Sequence, residues 1–214
     1  SIGKNDERAR AIGHLRGLLK GLGASEIINY TLVSHGLLDA LDLDCKNERE
    51  QLPHPISEDQ SVLRTSLIPQ LIESLGRNHA RQIHEACFYE IGRIFKRKEE
   101  TMQYEHLSIG MMGPVGRSLL NKREPITDEE QFIWLKGFIE ELLTNLGIQD
   151  IRFSPIEHAG FESNQAVKIE RKSKSIGLLG LISKATREDR RIMTPVAVAE
   201  LGINSLLQGA GKIP

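Results

Sequence analysis

The stretch Pro55-Ile56-Ser57-Glu58-Asp59-Gln60-Ser61-Val62-Leu63-Arg64-Thr65-Ser66-Leu67-Ile68-Pro69, followed by Phe88-Tyr89-Glu90-Ile91-Gly92-Arg93-Ile94-Phe95, orders the reading of this 214-residue chain. Pro53 and Pro55 cannot donate to a sheet ladder, so residues 52–56 read as an extended edge or entry segment. Ser66 and Pro69 mark a helix start, because a serine hydroxyl accepts from free backbone amides and proline is tolerated in the first turn. That helix should run to about Arg81. Residues 88–95 are the strongest strand signal, and a charged loop near residues 97–104 leads to a second strand at 106–112, so the two form an antiparallel pair.

Working outward toward the N-terminus, Ile12, Leu15, Leu18 and Leu19 recur at helical spacing between Asp6 and Lys20, and Gly21 and Gly23 stop the pattern. Residues 26–32 read as a strand with Ile28 and Tyr30 on one face. Ser34 can cap a short helix through Leu41, and the polar run 42–51 is a loop. In the other direction, a loop at 114–125 precedes a helix starting at Thr127 or Asp128. Its stripe is Phe132, Leu135, Ile139, Leu142, Leu143 and Leu146, and Gly147 ends it. Three strands follow at 151–153, 167–170 and 175–182, the last two joined by a tight turn at 172–174. The run 176–182 is apolar on both faces and belongs mid-sheet. A short helix at 185–190, a strand at 196–203 and a Gly209-Ala210-Gly211 tail complete the chain. This order lacks the strict strand-helix alternation of a parallel sheet. The predicted fold is α+β, one domain with a largely antiparallel sheet flanked by helices.

Composition narrows the function. With 28 Lys and Arg against 29 Asp and Glu, the formal net charge is -1, far from the basic balance of a domain that holds nucleic acid mainly through phosphates. The local basic groups, Arg93, Lys96, Arg97 and Lys98, and the pair Arg190 and Arg191, sit beside Glu99 and Glu100 or Glu188 and Asp189, as solvated faces do. No apolar run approaches the roughly 18 residues of a membrane span. Two cysteines, Cys45 in a charged loop and Cys87 opening an apolar strand, offer no disulfide framework, and with no signal pattern a reducing, cytoplasmic setting is expected.

Several chemistries fail on their spacing. Gly211-Lys212 lacks the earlier glycine and the following hydroxyl of a phosphate loop, with Leu206 and Ile213 in those places. The seven histidines include no two that stand four residues apart, and no cysteine pair supports them, so no metal site is expected. No serine has the flanking glycines of a nucleophile elbow, and Cys87 should be buried. The pairs Glu99–Glu100 and Glu140–Glu141 are sequence neighbours and point apart.

The opening motifs carry a resemblance. His54 to Glu58, Ser61 to Leu67 with Pro69, and Phe88 to Phe95 closely resemble, in order and spacing, three linked segments of the catalytic-like domain of the phenylalanyl-tRNA synthetase beta subunit. Weaker similarity in Gly21 to Ser34 and in Trp134-Leu135-Lys136-Gly137 extends it over nearly the whole chain. Two places depart from the family pattern. His158-Ala159-Gly160-Phe161-Glu162-Ser163 stands where His-Pro-Gly-Arg-Ser is usual, and Ile182-Ser183-Lys184 replaces a common His-Pro pair.

The resemblance implies a class II synthetase-like fold, a fragment of a longer beta chain, and no chemistry in this domain. Active relatives carry an arginine two residues before a glutamate on the second-motif strand. With Glu90 in the glutamate position, Phe88 occupies the arginine position, and Arg93 lies at an odd separation on the opposite face. The late strand at 196–203, matched to the third motif, carries Glu200 and no arginine. The resemblance therefore implies no catalytic, cofactor or metal residues here, and ATP and magnesium used only by the whole enzyme. Arg64, Ser66, Glu90, Gly92 and Arg93 are expected either to form ion pairs and backbone hydrogen bonds that fix the sheet, or to sit at the interface with the alpha subunit. Implied partners are the catalytic alpha subunit and a second alpha-beta pair, with tRNA contacted mainly by regions outside these residues. The alternative is a free-standing class II-like ligase that adenylates a small carboxylate.

Overall fold

The computed structural model describes residues 2–115 and 125–209. Its centre is a seven-stranded sheet in the order β1-β4-β5-β9-β8-β7-β6. The strands are β1 (Ser25–Glu26), β4 (Ala86–Arg97), β5 (Thr101–Met112), β6 (Ile151–Pro155), β7 (Phe161–Arg171), β8 (Lys174–Ile182) and β9 (Val196–Gly202). Only the β1–β4 pair is parallel. Two short strands, β2 (Leu32–Val33) and β3 (Val62–Leu63), form a separate antiparallel pair. The helices are α1 (Ile2–Gly21), α2 (His35–Asp39), α3 (Ile68–Ala80), α4 (Asp128–Asn145), α5 (Lys184–Asp189) and α6 (Ile203–Gly209). The α+β class and the antiparallel sheet match the sequence reading, and the apolar strand β8 lies between β9 and β7 as its two-faced pattern requires.

Strand alternation divides the sheet into two faces with different coverings. Tyr89, Leu107, Ile109, Met111, Leu179, Ala199 and Leu201 pack with Leu15 and Leu19 of α1 and Leu135, Ile139 and Leu142 of α4. On the other face Met112, Ala166, Ile182, Val196 and Val198 pack with Ile68, Leu71, Ile72 and Leu75 of α3. Gly110 allows that close approach, since a Cβ there would stand 2.9 Å from Leu71 Cδ2. α4 begins with a capping box. Thr127 Oγ1 accepts from the Glu130 amide at 3.2 Å, and Glu130 Oε2 accepts from the Thr127 amide at 2.8 Å, so two otherwise unpaired helix-end donors are satisfied. Gly147, at φ +70°, follows its end.

Four expectations need correction. The predicted strand at 26–32 is two fragments, β1 and β2, separated by an irregular segment at 27–31 whose backbone is held by side chains, Glu90 and Gln70, as well as by the main chain of Arg64 and Tyr89. The predicted loop at 97–104 shrinks to residues 98–100, because exposed charged residues still pair through their backbones from Arg97↔Thr101 inward. β9 stops at Gly202, and Ile203 begins α6, a helix the tail reading missed. The α4 stripe buries Gln131 and Phe138 while Phe132 is only partly covered. The tail beyond residue 209 and most of the 114–125 loop lie outside the described residues. Among the described residues no helix is long and apolar enough to cross a membrane.

Candidate functional site

Sheet register places one row of residues across the α3 face, Glu90↔Ser108↔Glu200↔Leu178↔Lys168. The neighbouring row brings Gly92, His106 and Gly202 together. Between these rows and the loops above them lies a cavity of about 490 Å³ lined by Ser66, Lys96, His106, Lys168, Glu200 and Asn204, among others.

Three consecutive residues of the opening motif each reach a different buried partner. Arg64 Nη1 donates to Glu90 Oε1 at 2.7 Å and to Gln70 Oε1 at 3.1 Å, and its Nε donates to the Arg93 carbonyl at 2.8 Å. Thr65 Oγ1 donates to Asp44 Oδ2 at 2.8 Å. Ser66 Oγ donates to Glu200 Oε2 at 2.5 Å and accepts from the Ile68 amide at 3.1 Å, so it serves the α3 start as predicted. The Leu67 amide adds a bond to Glu200 Oε2 at 3.0 Å. A segment with one side chain committed to each of three clusters has a single low-energy path, since any shift leaves a buried polar group unpaired.

Gly92 makes the first cluster possible. A Cβ there would lie 2.3 Å from Arg64 Nη2, so the guanidinium occupies the space a side chain would fill. Glu90 also receives the Asn29 side-chain amide at 2.8 Å, and Gln70 Nε2 reaches the Tyr30 carbonyl at 2.8 Å. The Arg64 amide donates to the Thr31 carbonyl at 3.0 Å. The network therefore grips residues 29–31 from inside, and Ile28 and Tyr30 are left facing outward at 88% and 78% exposure.

In the second cluster Glu200 meets His106 Nδ1 at 2.6 Å. A carboxylate accepts only, so Nδ1 carries the hydrogen. Burial opposes the charge of Glu200, but the His106 bond and charge, the Ser66 hydroxyl and the Leu67 amide outweigh it, and the carboxyl titrates below its ordinary range. In the third cluster Arg49 donates to both oxygens of Asp44 at 2.8 Å and to Asp39 Oδ1 at 2.8 Å. Burial likewise raises the Asp44 carboxyl, and its bonds from Arg49 and Thr65 bring it below its ordinary value.

Of the five residues singled out from sequence, Arg64 and Glu90 are bonded to each other and Ser66 joins Glu200 instead; they are 3%, 1% and 7% exposed, respectively. All three side chains are spent on bonds within this chain. Arg93 is exposed, and only its carbonyl joins the cluster. Sequence reasoning missed Asn29, Asp44, Arg49, Gln70 and His106. His106 had a visible signal, because His106, Ser108 and Gly110 alternate with apolar Leu107, Ile109 and Met111. Arg49 and Asp44 had none beyond a polar run. Cys87 is buried as predicted, and burial pushes its thiol up to about 12.

Comparison with known proteins agrees with this architecture. The model of the phenylalanyl-tRNA synthetase beta chain CLM domain matches residues 1–203. The chain is 31% identical over 198 residues to the phenylalanine–tRNA ligase beta subunit of Bacillus licheniformis, covering 91% of this chain and 24% of that protein. The Listeria innocua beta subunit is 31% identical over 208 residues, covering 95% of this chain and 25% of its own length. The chain thus spans about a quarter of these relatives. Pyrrolysyl-tRNA synthetase from Desulfitobacterium hafniense shares the fold, with a TM-score of 0.72 at 13% identity over 94% of this chain and 68% of that one. A synthetase-shaped sheet whose signature segments are turned inward, matched by the family model over nearly its whole length, belongs to the phenylalanyl-tRNA synthetase beta chain CLM domain family.

Proposed function

We propose that this chain is a non-catalytic, synthetase-shaped domain of a phenylalanine–tRNA ligase beta subunit. Its role is assembly with the alpha subunit that charges tRNA with phenylalanine, using ATP and magnesium. A second alpha-beta pair completes a heterotetramer, and the main tRNA contacts lie elsewhere in the longer chain. The observation that carries the non-catalytic reading is Glu200. Adenylate formation must hold negative charge on a pentacoordinate phosphorus, which preorganised cations stabilise. Here a buried carboxylate stands at the centre of the sheet floor, and the described residues lining the cavity include no arginine. The two lining lysines are paired, Lys96 with Glu48 at 3.6 Å and Lys168 with Glu170 at 2.8 Å. The 214-residue chain should give no phenylalanine-dependent ATP-pyrophosphate exchange, and measurable exchange would overturn this reading.

Support for the assembly role comes from the 27–31 segment. Its inward Asn29 side chain is bonded to Glu90 and Ser74, while Ile28 and Tyr30 face water from a backbone that cannot easily retract them. Solvent-exposed apolar groups on a rigid backbone suit a subunit contact, since little ordering entropy is left to lose on docking. Replacing both with glutamate should leave the unfolding midpoint of the isolated chain unchanged and reduce the alpha subunit that co-purifies with it. Undiminished co-purification would place the contact elsewhere.

A further inference from the structure

Away from the sheet floor, two imidazoles meet where no sequence spacing announced them. His79 lies in the last turn of α3 and His84 in the connection to β4. Helical spacing does not join residues five apart. A reversal does: the amides of Gln82 and Ile83 donate to the carbonyls of His79 and Asn78 at 2.9 and 3.1 Å, with Gln82 at φ +65°. The chain folds back, and the His84 ring meets the His79 ring edge to face, with centroids 4.7 Å apart and planes at 72°. The two Nδ1 atoms stand 3.1 Å apart. From the geometry of this pair we infer that His79 and His84 form a two-imidazole site for a borderline divalent transition ion such as Zn²⁺ or Ni²⁺.

The separation is the reason. An ion about 2.05 Å from each nitrogen would see them at roughly 100°, between the octahedral and tetrahedral angles. In the empty site one proton joins the two nitrogens, and an ion takes that proton's place. Neutral imidazole donors favour zinc, nickel or copper over magnesium or calcium, which require oxygen ligands. Among the described residues no group of three or more His, Cys, Asp and Glu converges, so water completes the coordination shell. His84 is exposed, leaving an open path for the ion. The Met193 amide donates to His79 Nε2 at 3.4 Å. Metal at Nδ1 moves the ring hydrogen to Nε2 and ends that long contact, so the Met193 amide reports occupancy. The ion would staple the end of α3 to the strand that follows.

The test is titration of the metal-free 214-residue chain with zinc or nickel chloride, followed by calorimetry and by amide NMR shifts. The expected result is one saturable equivalent, with shifts concentrated at His79, His84 and Met193. H84Q and H79Q should each weaken binding roughly tenfold or more, and H54Q at an exposed histidine should not. His84 is a surface residue, so H84Q carries the test if H79Q unfolds, with circular dichroism checking each fold. Absence of saturable binding, or binding that survives H84Q as an adventitious ion only, would overturn the inference.

Discussion

Gly92→Ala tests whether the Arg64 cluster holds the domain together. The new Cβ would be 2.3 Å from Arg64 Nη2, 3.0 Å from Glu90 Oε1 and 3.2 Å from Leu67 Cδ2. Contact requires a retreat of about 1 Å by whichever group yields. Arg64 is the long, flexible member, but its guanidinium is buried and bonded to Glu90, Gln70 and the Arg93 carbonyl. If it moves, a buried carboxylate loses its cation, a change that costs about 3–5 kcal/mol. If the strand moves instead, overpacking costs about 1–3 kcal/mol. The expected loss is about 3 kcal/mol. With an m-value of about 3 kcal/mol/M in urea, the unfolding midpoint falls by about 1 M. The lone tryptophan, Trp134, provides the fluorescence signal, and circular dichroism provides a second probe. Arg64→Met removes the group that the methyl would strike, so adding Gly92→Ala in that background should cost less than about 1 kcal/mol. An equal cost in both backgrounds, or a single-mutant loss under about 0.5 kcal/mol, would refute the reasoning.

Two further outcomes follow from buried polar groups. Gln131 is fully buried and, among the described residues, neither its Oε1 nor its Nε2 has a hydrogen-bond partner, so Gln131→Met, similar in shape, should stabilise the chain by about 1–3 kcal/mol in urea unfolding. A loss of stability would mean that the amide is satisfied. Glu200 has its folded pKa depressed below the ordinary 4.5, so the unfolded chain takes up that proton first as pH falls. Its contribution is complete above about pH 4.5 and disappears as pH drops through the lower folded value. Glu200→Gln should therefore destabilise the chain at neutral pH and flatten the fall in stability below pH 4.5; an unchanged acid slope would show that other carboxyls govern it.

The parts of the fold legible in sequence were those set by local physics. The α4 start was readable because Thr127 and Glu130 form a local capping box, and β8 because a run apolar on both faces belongs in a sheet interior. The 27–31 segment misled because its alternation is real but inverted with respect to water. Ile28 and Tyr30 face out, while Asn29 turns inward to a carboxylate supplied 61 residues later. The histidines misled in the opposite way, since a search at helical spacing passes over a pair joined by a left-handed turn.

By itself, the sequence determined the element types around the opening stretch, the antiparallel pairing of its strongest strands, the family resemblance, and the burial of Cys87. Periodicity, caps and turns act within a few residues and so are written in the order of the chain. Tertiary structure alone decided that Arg64, Thr65 and Ser66 reach Glu90, Asp44 and Glu200, and that His106 completes the last of these clusters. Those pairings span 26, 21, 134 and 94 residues of sequence. Only sheet register and the seating of α3 bring such distant groups within hydrogen-bond reach, and once buried there each must find its partner.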